Sequence, residues 1–180
     1  IAPFAIEKIK LAAALLKQIP GLDIHEELRE VFEKLDMRAE YDEEDINYIQ
    51  FDTRPGYAGA EYLAELLESI QGKNVISFDY QPFKNDQPHK VILNPYLLKE
   101  YNNRWFLIGL PEHLRLLDVY EYYVYGLERI KSKIKTEKIA YYLHHQFDPA
   151  TYYQHVIGVT IPKDAKPEKI VLRFKIPRAY

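Results

Sequence analysis

Two runs of alternating residues meet at Asn102-Asn103, and no other stretch of the chain restricts its fold as tightly. Asparagine tolerates positive φ better than most chiral residues, so an Asn-Asn pair between alternating runs predicts a tight hairpin turn. The spacing places one strand at 89–101 and its partner at 104–110. Trp105, the single tryptophan, opens the run Trp105-Phe106-Leu107-Ile108, with Lys99, Arg104, Arg115 and Arg129 around it in sequence. An apolar ribbon with a cationic border can hold an anion.

Further strands extend the pattern. Ile76, Phe78 and Tyr80 alternate with Ser77 and Asp79, which predicts a strand at 74–81 with one buried face. A polar loop, Pro82 to Pro88, leads to the hairpin, and residues 115–125 and 129–135 supply two more strands. In the last of these Arg129, Lys131, Lys133 and Lys135 alternate with Ile130, Ser132 and Ile134, so period two sets four cations on one face. Such a row either guards an edge against pairing or offers a stripe to phosphates. Five short strands imply a small, strongly bent sheet or partly closed barrel. Leu63, Leu66, Leu67 and Ile70 fall at helical spacing within 58–71, and Gly72 is placed to end that helix.

The flanks read differently. Pro3 to Ile19 has high helix propensity and stops at Pro20-Gly21. Asp23 and Glu26 then form a capping box ahead of the stripe Ile24, Leu28, Val31, Phe32 and Leu35, so the start reads as a helical hairpin. The acidic turn Asp42 to Asp45 precedes a short strand at 46–51. Beyond residue 136 a Tyr-rich connector, 139–157, is expected to turn helical around 148–156, and a strand pair is expected at 159–161 and 170–176. A start at Ile1 and a stop soon after an unpartnered strand read as a piece of a longer protein.

Composition narrows the function. The 180 residues are 47% hydrophobic and 28% charged, as in a globular protein. There is no cysteine, hence no disulfide, thiolate nucleophile or cysteine-bound zinc, and a reducing cytoplasm is the default compartment. The longest apolar run near the start, Leu11 to Leu16, is too short to span a bilayer, so no membrane partner is expected. Residues 1–72 hold 7 Lys/Arg against 16 Asp/Glu, 73–135 hold 10 against 7, and 136–180 hold 7 against 4, so a polyanion would meet the second part. Ser69, Ser77 and Ser132 lie in no nucleophile elbow, and the seven glycines form no phosphate loop. His144-His145, Asp148 and His155 have no metal-ligand spacing, since adjacent histidines cannot share a face. Neither an enzyme nor a metal or cofactor is expected.

One set of residues points to a family. Tyr80, Asn94-Pro95-Tyr96-x-Leu98-Lys99, Arg104-Trp105-Phe106-Leu107-Ile108-Gly109 and Leu127-Glu128-Arg129-Ile130 occur in an order and spacing that resemble the bacterial WYL-domain proteins, most of them transcriptional regulators. The eponymous tripeptide is Trp-Phe-Leu here, so Phe106 lacks a phenolic hydroxyl, and Glu128 stands where the family often has Asp. The resemblance covers about 73–135. It implies an α+β chain: an N-terminal helical linker at 1–45, a small Sm-like or SH3-like β-barrel with a preceding strand and helix at 46–138, and at 139–180 a connector and the truncated start of a C-terminal ferredoxin-like extension. It also implies a ligand-sensing regulatory role, with Tyr80, His89, Lys99, Arg104 and Arg129 forming a basic, aromatic pocket for single-stranded nucleic acid or a nucleotide-like anion. Guanidinium forks suit phosphate and aromatic rings suit bases. Arg129 is the foremost candidate, and its plainer reading is a structural partner of Asp79 or Glu128. Arg104 reads equally well as a simply exposed side chain. Duplex DNA would be read by a winged helix-turn-helix absent from this chain, in a homodimer. The competing reading is a protein-protein interaction or dimerisation module built on the sixteen tyrosines.

Overall fold

The computed structural model describes Ala12 and residues 58–84, 87–162 and 165–173. The helical hairpin expected within 1–45 and the strand at 46–51 lie outside the described residues.

Helix α1 (Leu63–Gln71) follows a single 3₁₀ turn, Ala60–Tyr62, and buries Leu63 and Leu66. Its end differs from the reading centred on Gly72. Gly72 keeps a helical φ of −74°, and Lys73 takes the left-handed conformation with φ 52°. The amide of Asn74 reaches the Ser69 carbonyl at 2.9 Å and that of Lys73 the Ile70 carbonyl at 3.2 Å, a Schellman ending with lysine at the left-handed position. Space is tight one residue earlier, where a Cβ on Gly72 would lie 2.7 Å from the side-chain nitrogen of Asn74 and 3.0 Å from the Glu68 carbonyl oxygen.

The strands are β1 (Ile76–Tyr80), β2 (His89–Glu100), β3 (Trp105–Pro111), β4 (Tyr123–Gly126) and β5 (Lys135–Thr136). They form one antiparallel sheet in the order β4-β3-β2-β1-β5. The hairpin between β2 and β3 turns at Asn102 and Asn103, with φ 50° and 58°, the left-handed pair that the dipeptide favours. Register shifts between Pro95 and Leu97, where proline has no N–H to give the ladder. Gly109 faces Pro95 there, and any Cβ on it would strike the Asn94 carbonyl oxygen.

Alternation loads both faces. One carries Leu63 and Leu66 of α1 against Ile76, Phe78, Leu93 and Leu107, with Trp105 packed beside them. The other carries Tyr96, Phe106, Ile108 and Leu110 against Phe147 and several tyrosines of the connector. Trp105 and Phe106 therefore serve opposite cores, as adjacent strand residues must.

The sheet is open. Edge strands β4 and β5 do not pair with each other. After β4 the chain passes through a 3₁₀ turn, Leu127–Arg129, and joins the end of β1: Gln81 donates to the Arg129 carbonyl at 3.1 Å and Lys131 to the Asp79 carbonyl at 2.8 Å.

Four expected elements change. A short helix α2 (Glu112–Arg115) runs out of β3 to the first residue of the strand expected at 115–125, and turns follow it, so the strand is confined to 123–126. The strand at 129–135 is interrupted by the 3₁₀ turn. Ile130 and Ile134 are buried while Lys131, Lys133 and Lys135 are exposed, but Arg129 leaves that row. Around 148–156 the chain forms successive turns in place of a helix. The Asp148 carboxylate binds the Ala150 amide at 3.0 Å and the Thr151 hydroxyl at 2.7 Å, local bonds that compete with helical ones. Residues 159–161 and 170–173 have no β partner among the described residues. No helix among the described residues is long and apolar enough to cross a membrane.

Candidate functional site

The gap beside β4 opens into a cleft of about 580 Å³. Its lining draws on four strands and the turns between them. Tyr80 comes from the end of β1, His89 and Lys90 from the start of β2, His113 from α2, Tyr123 and Tyr125 from β4, and Arg129 from the 3₁₀ turn. No aspartate or glutamate is among the lining residues.

Arg129 is held from several sides. Its Nε lies 3.5 Å from a Glu128 carboxylate oxygen, its guanidinium lies over the Phe83 ring, and its charge acts on the Tyr80 hydroxyl. Tyr80 is buried and its oxygen also accepts the Gly126 amide at 3.2 Å. Burial raises the Tyr80 pKa, with Gly126 and Arg129 acting against the rise, so the phenol stays protonated at neutral pH. Its ring meets Tyr125 edge-on at 4.9 Å and His89 at 6.4 Å. Burial also raises the Tyr125 pKa. Lys90 reaches Glu137 at 3.0 Å from a largely exposed position.

Three of the five expected residues, Tyr80, His89 and Arg129, thus share one cleft. Lys99 and Arg104 lie outside it. Lys99 projects over the Tyr153 ring at 4.8 Å, on the face covered by the connector. Arg104 pairs with Glu128 and lies over the Phe106 ring at 5.2 Å. For Lys99 the reason is register, since it pairs with Phe106 and so faces the second core; Arg104 is turned to the Glu128 carboxylate that Arg129 also approaches. Arg115 of the proposed cationic border is bound to Glu112, whose pKa is lowered by Arg115 first and by Asn94 as well.

Sequence reading missed Lys90, His113, Tyr123 and Tyr125. The two tyrosines alternate in a Tyr-rich run, a signal of strand pairing that says nothing about a shared cleft. His113 carries no sequence signal, because the turn out of β3 alone brings it there. His144, Asp148 and His155 do not converge, and among the described residues no group of three His, Asp or Glu side chains could hold a metal ion. His144 is instead stacked on Tyr120 at 4.0 Å and bonded through Nδ1 to the Tyr122 hydroxyl.

Residues 61–133 match the WYL domain family. The chain contains a WYL domain. The match runs from the 3₁₀ turn before α1 to Lys133 and takes in every cleft residue named above. The WYL segment ends before the connector that covers its second face. Comparison with curated proteins gives no match. Among solved structures, the proteasome accessory factor B/C (PafBC) of Arthrobacter aurescens is similar at a TM-score of 0.44 and 15% identity over 55% of this chain. The likeness spans 15% of that protein's length.

Proposed function

We propose that this WYL domain is a ligand-sensing module of a transcriptional regulator, taking single-stranded nucleic acid or a nucleotide-like anion in the cleft beside β4. The observation that carries this reading is the cleft's one-sided charge. Arg129 and Lys90 line it together with His89 and His113 and no carboxylate among the lining residues, while Glu137 and Glu128 reach the two cations from outside it, in a chain whose net charge is −3. Arg129 offers a guanidinium fork to phosphate, and the tyrosines offer ring faces and hydroxyls to what the phosphate carries. The site binds and has no catalytic constellation in this reading. We read the curled sheet as a small SH3-like barrel left open at the ligand's side, with DNA contacted by a winged helix-turn-helix beyond this chain and the protein working in the cytoplasm.

Binding of short single-stranded DNA across a salt series tests the proposal. A single-stranded ligand that releases counterions loses affinity with a log-log slope of about −0.7 per phosphate contacted. Arg129→Ala should weaken binding by about tenfold and flatten the slope by roughly one contact. No binding at low salt, or an affinity indifferent to salt, sinks the proposal.

A second reading, a dimerisation or partner-binding module, is favoured by the exposed Leu116, Leu117, Val119, Tyr120 and Tyr123 near the unpaired edge of β4. Sedimentation separates the two: a dimer unmoved by Arg129→Ala and by nucleotides supports the second.

A further inference from the structure

Phe83 stands in the open at the mouth of the cleft. The residue is 83% exposed and joins neither core. It follows Pro82, which lines the cleft, and the Arg129 guanidinium covers one face of its ring. A solvent-facing phenylalanine adds little to folding, since its apolar area stays in water. The guanidinium gives the ring a cation–π partner on that face, and no second aromatic ring contacts it among the described residues. What remains is a flat apolar face beside the Arg129 guanidinium.

We propose that Phe83 is a stacking platform for a nucleobase whose phosphate meets Arg129. Base and guanidinium then lie on opposite faces of one ring, with the sugar passing its edge to bring the phosphate to the guanidinium rim. Every base has a π-face, so a platform of this kind tolerates any sequence. The inference rests on the anion-binding reading of the cleft and adds to it the base as a recognised part. The shared chemistry, a base with its phosphate, is that of a free nucleotide and of one unit of a single strand.

The test compares a short oligodeoxythymidylate, an abasic strand of the same length and thymidine monophosphate, titrated at low salt into the 180-residue chain. Phe83→Ala is expected to weaken the base-bearing ligand by roughly ten- to a hundredfold, the effect of losing one stack, and to leave the abasic strand unchanged. Phe83→Trp is expected to hold or improve affinity for the base-bearing ligand. Binding of the monophosphate as tightly as the oligomer assigns the platform to a free nucleotide, and binding of the oligomer alone assigns it to a strand. Equal losses on the base-bearing and abasic strands overturn the proposal, because Phe83 would then act only by holding Arg129. So does an alanine variant that binds both as the wild type does. Wild-type protein that binds none of the three probes removes the anion reading itself, whereas wild-type protein that binds both strands equally removes only the platform.

Discussion

Glu128 stands between two arginines. It pairs with Arg104 and also lies 3.5 Å from Arg129, with 24% of its side chain exposed. Partly exposed ion pairs are worth no more than about 1 kcal/mol, yet each interaction with Glu128 draws a guanidinium away from an incoming phosphate. Glu128→Gln should therefore raise affinity for single-stranded DNA by about two- to fivefold, with a steeper salt dependence. A loss of affinity in that variant would instead make Glu128 the residue that holds Arg129 in position. Sequence alone leaves Arg129 open between ligand and structural pairing. The residue has one carboxylate beside it, one aromatic ring below it and a cleft ahead of it. Arg104 and Lys99 carried the same family signal, but a motif specifies residue type and spacing, whereas strand register decides which face a side chain meets.

The connector is the element that sequence described least well, and the polar bonds under it explain its path. Asn94 donates to Glu112 at 3.0 Å and accepts the Tyr142 amide at 2.8 Å, while Tyr141 donates to the Pro95 carbonyl at 2.8 Å and Tyr96 to the Tyr142 carbonyl. A tyrosine-rich segment with no helical or strand period is thereby fixed on the sheet by side chain–backbone bonds, for which a sequence carries no period to read. The hairpin and β1 were legible because alternation and an Asn-Asn turn are local signals. His144 lies at the centre of the connector, 4% exposed, stacked on Tyr120, facing Tyr122, Tyr142 and His145. Burial, and His145 after it, lower its pKa, so the folded state holds it neutral with Nδ1 accepting the Tyr122 hydroxyl. The Tyr122 pKa is pushed up to about 12, which keeps that hydroxyl a donor across the whole neutral range. An unfolded histidine protonates near pH 6.5, so the unfolded chain binds the extra proton first and stability falls as pH drops below about 6.5. Thermal unfolding followed from pH 7.5 to 5.5 should show this decline in the wild type. His144→Gln should unfold at lower temperature at pH 7.5, by about 1–2 kcal/mol for the lost buried bond, and show a flatter dependence over the same interval. An equally steep decline in the variant would place the titrating group elsewhere.

Across the whole molecule, the cleft lies where the sheet fails to close. Edge strand β4 pairs with β3 on one side, and on its other side the Gly126 amide donates to the Tyr80 hydroxyl, bridging toward β1. Period two then turns the Val124 amide toward the same gap, two residues back along an antiparallel strand. Val124 lines the cleft, so its N–H belongs to the surface a ligand would cover. A closed barrel would satisfy that group internally and fill the space with side chains. The 3₁₀ turn prevents this by carrying the chain across the gap without pairing β4 to β5, and it sets Arg129 at the opening. Sequence spacing suggested a partly closed barrel because five short strands fit one, but closure depends on whether the last two strands meet, and the interruption at Leu127–Arg129 has no strong local signal. Amide exchange tests the arrangement. Saturating single-stranded DNA should slow exchange at Val124 and in the turn, approaching about 100-fold when free ligand exceeds its Kd a hundredfold, with smaller change in α1 on the far core. Protection centred on the exposed lysine row at 131–135 and absent from Val124 would move the binding surface to the β5 edge and leave the gap as a feature of the fold alone.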